Sequence, residues 1–289
     1  MSGILEKLIT QTEYKIINNM GIVKHQYIVE FIKELQRHEY DAHVVIMGQN
    51  GSGKSMLMLA LMKQLDENSI KNGKIIYAYD KTSKLIKMLK ESNNSCIGID
   101  EGKKFFHYKR SMGTEQIVLT NMIEYARENR NAFVVCSNDI RRLNNNYRNS
   151  KVQVVIWLLD RYEKETGKTK SYGLVFFGNP ALEEEDKFSM NLFSNLYSFE
   201  QIRIVAETSP TFYGYMFLED IKNLVSEEEI KIYRTEKKKG IDDTADSYMK
   251  KLANKELKEE GVDSENMFDN LETALMFKKK INKLSSKDL

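Results

Sequence analysis

Short apolar runs alternate with amphipathic stretches along the first two thirds of the chain. The runs are His43–Met47, Lys74–Tyr79, Ser95–Ile99, Ala132–Cys136, Val152–Leu159 and Tyr172–Phe177. Each is near-continuously apolar and short, which predicts strands buried on both faces. Between them, apolar residues recur at helical spacing. Ile28, Phe31, Ile32 and Leu35 share a face over residues 26–39, and Leu85, Ile86 and Leu89 share one over Ser83–Glu91. Thr114–Asn129 carries Ile117, Val118, Met122, Ile123 and Tyr125 in the same manner, and Met56–Met62 is rich in helix formers. Strands alternating with helices through short loops predict an α/β fold, with a mainly parallel sheet covered by helices on both faces. Glu165–Thr169 reads as a hairpin turn, so the run after it adds an antiparallel extension.

The pattern is weaker at both ends. Residues 1–24 predict no more than a strand or arm, and residues 180–225 mix aromatic and acidic residues without clear period. Ser226-Glu227-Glu228-Glu229 is a capping box that opens a helix toward Lys239, where Gly240 is expected to stop it. Thr244–Glu260 and Ser264–Leu284 read as two further charged amphipathic helices. They carry Tyr248, Leu252 and Leu257, then Met267, Leu271, Leu275 and Ile281. The expected division is an N-terminal arm and helix (1–40), a core (41–180), a core extension (181–240) and a helical C-terminal tail (241–289).

Composition narrows the class without choosing a function. The 289 residues are 41% hydrophobic and 30% charged, as a globular protein requires, and the net charge of +2 does not announce a nucleic-acid binder. Cys96 and Cys136 lie inside apolar runs and read as reduced core residues; the 4 histidines show no metal-ligand spacing. No apolar run reaches membrane-spanning length, so the expected location is cytoplasmic, or the virion if the source is viral.

The chemistry is concentrated after two of the strands. Gly48-Gln49-Asn50-Gly51-Ser52-Gly53-Lys54-Ser55 fits the phosphate-binding loop G-x-x-x-x-G-K-[ST] at every fixed position, between a strand and a helix. Its amides, continuing to Met56, and the following helix N-terminus form an anion site. Lys54 is expected to reach the β- and γ-phosphates of ATP and Ser55 to ligate Mg²⁺. Ser95-Cys96-Ile97-Gly98-Ile99-Asp100-Glu101 is an apolar strand ending in two carboxylates, the Walker B arrangement. Asp100 can share the Mg²⁺ shell with Ser55, and Glu101 can polarise the attacking water. Asn138, at the end of the Ala132–Cys136 strand, has two readings. It contacts the γ-phosphate or the water if its strand lies between the two motifs, or it caps the next helix.

These motifs together resemble the additional-strand, catalytic-glutamate branch of P-loop ATPases, which includes RecA-like and AAA+ motors. The resemblance implies a core strand order of 5-1-4-3-2. Ile140-Arg141-Arg142-Leu143 followed by Tyr147-Arg148-Asn149-Ser150 and a strand is similar to the HerA–FtsK group and the related viral genome-packaging and zonula-occludens-toxin-like ATPases. Pro210, Phe212 and Gly214, with Tyr233 and Lys237, resemble the tails of mobile-element members. One departure is Asn138, where that group usually has Gln. The resemblance implies Mg-dependent ATP hydrolysis in a homo-oligomeric ring, usually a hexamer, completed by a neighbour's arginine. Arg148 is the first candidate; Arg127, Arg130 and Arg142 follow.

Two classes of work fit. Lys103, Lys104, Lys109 and Arg110 interleave with Phe105, Phe106, His107 and Tyr108, as in a pore loop that grips double-stranded DNA for translocation or packaging. The same residues also fit a loop with a buried aromatic pair and solvated lysines. The alternatives are an AAA+-like loader or initiator switch acting on protein partners, and a secretion or virion-assembly ATPase with a protein substrate; the C-terminal helices are expected to contact a neighbouring subunit or a partner protein.

Overall fold

The computed structural model describes residues 21–106, 126–163, 168–178, 199–221 and 223–259, with isolated positions between. In chain order these form α1 (His25–Arg37), β1 (Ala42–Gly48), α2 (Lys54–Leu65), β2 (Ile75–Tyr77), α3 (Thr82–Glu91) and β3 (Cys96–Asp100). Then follow β4 (Ala132–Ser137), α4 (Asn145–Ser150), β5 (Val152–Glu163), β6 (Lys168–Phe177), α5 (Phe199–Thr208), β7 (Phe212–Phe217) and α6 (Glu227–Glu259). Two units divide the chain, Met1–Glu236 and Lys237–Leu289.

The first unit is built on one seven-stranded sheet of order β2-β3-β4-β1-β5-β6-β7. Strands β1 to β5 run parallel in the order 5-1-4-3-2 expected from the motifs. β6 and β7 continue from β5 as antiparallel strands. The parallel strands are buried on both faces, and their side chains divide by alternation. Val44, Ile46, Val134 and Cys136 face α1 and α2, whereas Val45, Met47, Phe133 and Val135 face the other layer. Six consecutive residues of α2, Leu57–Met62, are buried. A helix apolar all round belongs between two layers, and α2 lies between the sheet and α1.

The sheet carries a second polar core at the opposite end from the phosphate loop. His43 is 0% exposed and bonds Asp41 through Nε2 at 2.9 Å. On the other side of the ring, His43 Nδ1 and the Tyr147 hydroxyl share a hydrogen bond at 3.1 Å. The imidazole stacks on Phe133, and the Tyr147 ring stacks on Phe106.

Three expectations change. β7 emerges from the stretch that showed no period, because its burial alternates only in part and Phe212, Tyr213 and Tyr215 place aromatics on both faces. Near the N-terminus, Ile22 pairs with Tyr215 as a single bridge; residues 1–20 lie outside the described residues. Gly240 does not end its helix: α6 runs unbroken for 33 residues. A glycine costs about 1 kcal/mol in a helix interior. Glu236–Lys239 before Gly240 are good helix formers and offset part of that cost. Of the expected Glu165–Thr169 turn, Lys168 and Thr169 already belong to β6; the rest of that turn, the centre of the Thr114–Asn129 helix and Ser264–Leu284 lie outside the described residues.

Candidate functional site

The site forms where the C-terminal ends of β1, β4 and β3 meet, because β4 lies between the other two. In register, Met47 pairs with Ser137 and Asp100 with Cys136, so the phosphate loop, Asn138 and the Walker B carboxylates leave adjacent strand ends. The loop needs glycine where backbone crowds backbone. A Cβ at Gly48 would lie 2.7 Å from both the Leu158 carbonyl oxygen and Ser52 Oγ. Gly53 caps α2 with φ +90°, a conformation costly to other residues.

Ser55 Oγ donates to Asp100 Oδ1 at 3.0 Å. The hydroxyl and carboxylate that the motifs single out thus meet, on different elements, at the N-terminal turn of α2. Both are hard oxygen donors, and this pair fits the requirement of Mg²⁺ for a few protein oxygens beside phosphate. Lys54 Nζ folds back over the loop and donates to the carbonyls of Gly48 (2.8 Å) and Gln49 (2.7 Å). Glu101 is half-buried and holds φ +96°, ψ +62°, a strained conformation for a side chain of its size. Gly102 behind it packs so closely that a Cβ would sit 2.2 Å from Val135 Cγ1.

A cleft of about 270 Å³ opens beside the loop. Gln49, Ser52, Asn138, Arg141, Trp157 and Asp160 are among the residues that line it. Ser52 Oγ is buried there without a hydrogen-bond partner among the described residues.

The sequence matches the family model described as Novel STAND NTPase 3 over residues 23–169. The chain belongs to that family. No match is found among curated proteins. Among solved structures, the N-terminal domain of zonular occludens toxin from Neisseria meningitidis is similar at 13% identity, over 60% of this chain and 94% of that one, with a TM-score of 0.36. The genome packaging NTPase B204 of Sulfolobus turreted icosahedral virus 2, in complex with ATP-gammaS, is similar at 14% identity, over 47% and 92%, with a TM-score of 0.32. Neither likeness bears on what this chain acts on.

The STAND NTPase 3 match runs from just before α1 to the start of β6 and so holds the phosphate loop, both Walker B carboxylates and Asn138. Asn138 is exposed at the cleft and caps nothing among the described residues. Asp139 instead accepts from the Arg141 amide at 2.9 Å, and Asn144 caps α4. Arg148 is half-buried on α4, with Nε donating to Asn149. Arg127 lies over the Tyr40 ring and Arg130 pairs with Glu39, at the far end of β1 and β4 from the loop. Arg142 is exposed.

Phe105 and Phe106 are 3% and 1% exposed, so of the two readings of that segment the buried pair is the one found. Lys104 Nζ donates to the Asp80 carbonyl at 2.6 Å. His107–Arg110 lie outside the described residues.

Sequence reasoning missed Tyr233 as a site residue. Its hydroxyl donates to Asp100 Oδ2 at 2.7 Å. Nearby, burial and then the neighbouring carboxylates push the Tyr79 phenol up to about 12, so it remains a donor, to the Glu236 carbonyl. The legible signal was the capping box: Glu229, its N3 residue, is one helical turn from Tyr233.

Proposed function

We propose that the chain is a Mg²⁺-dependent ATPase that works as a homo-oligomeric ring, a hexamer in the usual form of such motors, and moves or packages double-stranded DNA. The observation that carries the ATPase reading is the 3.0 Å hydrogen bond between Ser55 and Asp100, which joins the two motifs into one oxygen pair. In this reading the amides of residues 49–56 cradle the triphosphate, and Lys54 leaves the loop carbonyls to neutralise its β- and γ-phosphates. Ser55 and Asp100 hold Mg²⁺, which when bound offsets the charge that develops on the phosphates. Glu101 orients the attacking water and takes its proton. Asn138 hydrogen-bonds the water or the γ-phosphate from the cleft. Arg148 acts in trans on a neighbour's nucleotide.

The DNA reading draws on the basic residues after the Walker B strand, Lys103, Lys104, Lys109 and Arg110, and on the resemblance carried by Ile140–Leu143 and Tyr147–Ser150. A second reading, a nucleotide-driven assembly switch acting on protein partners, is favoured by the burial of Phe105 and Phe106, which takes those two rings out of a DNA grip. ATP turnover with and without double-stranded DNA, beside the mass in solution with ATP, separates them. DNA-stimulated turnover by a ring supports the motor. A ring with slow turnover indifferent to DNA supports the switch. Absence of Mg²⁺-dependent turnover overturns the ATPase reading itself.

A further inference from the structure

Both oxygens of Asp100 are held, and by different elements. Ser55 on α2 takes Oδ1 and Tyr233 on α6 takes Oδ2. Tyr233 is 6% exposed, inside a tyrosine cluster. Its ring centroid is 5.8 Å from that of Tyr77, which stacks on Tyr79 at 5.2 Å, and Tyr79 reaches back to the Glu236 carbonyl of α6 at 2.6 Å.

The helix is seated one turn earlier by a second buried contact. Glu229, 1% exposed, accepts from Lys63 Nζ of α2 at 2.6 Å and from the amide and hydroxyl of Ser226 at 2.8 and 2.7 Å. Burial works against the Glu229 carboxylate. The Lys63 and Ser226 contacts outweigh that and hold it below the usual range, so it stays ionised. Glu229 and Tyr233 are four residues apart and share a helix face. The start of α6 is therefore clamped between the phosphate-loop helix and the Walker B carboxylate.

A buried tyrosine hydroxyl needs a partner, and any carbonyl would satisfy it. Here the partner is the carboxylate assigned to the cation, whose rotation it removes. Outer partners that orient a ligating carboxylate typically matter about 10–100-fold in metal affinity or activity. We infer that Tyr233 is a positioning residue for Asp100, holding the carboxylate in the orientation in which it and Ser55 take a divalent cation together with nucleotide. This rests on the nucleotide-site reading above.

The test is Tyr233→Phe, which keeps the ring and its packing and deletes one hydroxyl. The probe is mant-ATP, titrated into full-length protein in EDTA and again across a Mg²⁺ series, with Tyr79→Phe as the control for loosening the same helix. In the variant, affinity in EDTA stays at the wild-type value and the Mg²⁺ concentration for half-maximal binding rises about tenfold or more. Tyr79→Phe leaves that concentration unchanged. A wild-type Mg²⁺ midpoint in Tyr233→Phe overturns the inference. So does an equal loss of affinity with and without Mg²⁺, or an equal shift in Tyr79→Phe, since each marks a structural role. Wild-type protein that binds no mant-ATP overturns the nucleotide-site reading instead.

Discussion

Glu101 is one of only a few non-glycine residues held at positive φ, among the described residues, and it immediately follows the carboxylate that meets Ser55. Strain of this kind costs on the order of 1–3 kcal/mol and persists only where the surroundings impose it. The next residue, Gly102, has no room for a side chain against Val135. With Glu101 as the proposed base, Glu101→Gln should leave ATP affinity intact and slow hydrolysis about 10²–10⁴-fold in single-turnover assays. Normal turnover in the variant would assign the water to another residue. Ser55, Asp100 and Glu101 were legible because their chemistry is local, a fixed spacing after a strand. Tyr233 was not, because its partner lies 133 positions away and the capping box one turn before it marks a helix start without naming the contact.

Among elements, the turn from β3 into Gly102–Lys104 leaves little room for change. Gly102→Ala places a methyl against Val135 and the Cys136 carbonyl, and overpacking of that kind typically costs about 1–3 kcal/mol. Denaturant melts should show a loss in that range, and a neutral result would mean the turn shifts freely. The strands β1 to β5 were readable from their apolar runs because a strand buried on both faces has no other composition to offer. β7 was not, since it sits near the rim with Phe217 exposed and aromatics on either face.

Asp41, before β1, makes a different prediction. Burial pushes its carboxyl up, yet the His43 hydrogen bond, with the charges of His43, Lys151 and Arg127, outweighs burial and leaves it below the usual range. The ionised group therefore contributes stability in full above its unfolded value near pH 4, and loses it as pH falls through the lower folded value. Asp41→Asn should melt lower at neutral pH and show a flatter acid limb. An acid limb as steep as the wild type would shift the effect to Asp66 or Glu229, which are lowered too.

For the whole molecule, the division after Glu236 places the sheet, the phosphate loop and the anchoring contacts of Glu229 and Tyr233 in the first unit. A chain ending at Gly240 should fold and bind ATP. It should also lose oligomer stability or partner binding, and with it any turnover that needs an arginine in trans. Thermal unfolding, nucleotide affinity and sedimentation against the full chain check this. An insoluble or nucleotide-blind truncation would make the tail part of the core, and unchanged assembly and turnover would make it dispensable. In the second unit, Tyr248 of the expected apolar stripe is 62% exposed, which gives the described part of α6 little buried surface.

The chain contains a single tryptophan, and it stands at the cleft with Gln49 and Ser52 of the phosphate loop. Indole emission from this protein is therefore a one-colour signal with a known address. A change in its intensity or wavelength on adding unlabelled ATP reads occupancy of the loop without a dye. Trp157→Phe should darken that signal while leaving mant-ATP affinity as it was. A spectrum indifferent to saturating ATP would mean that the loop fills without disturbing its neighbour on β5.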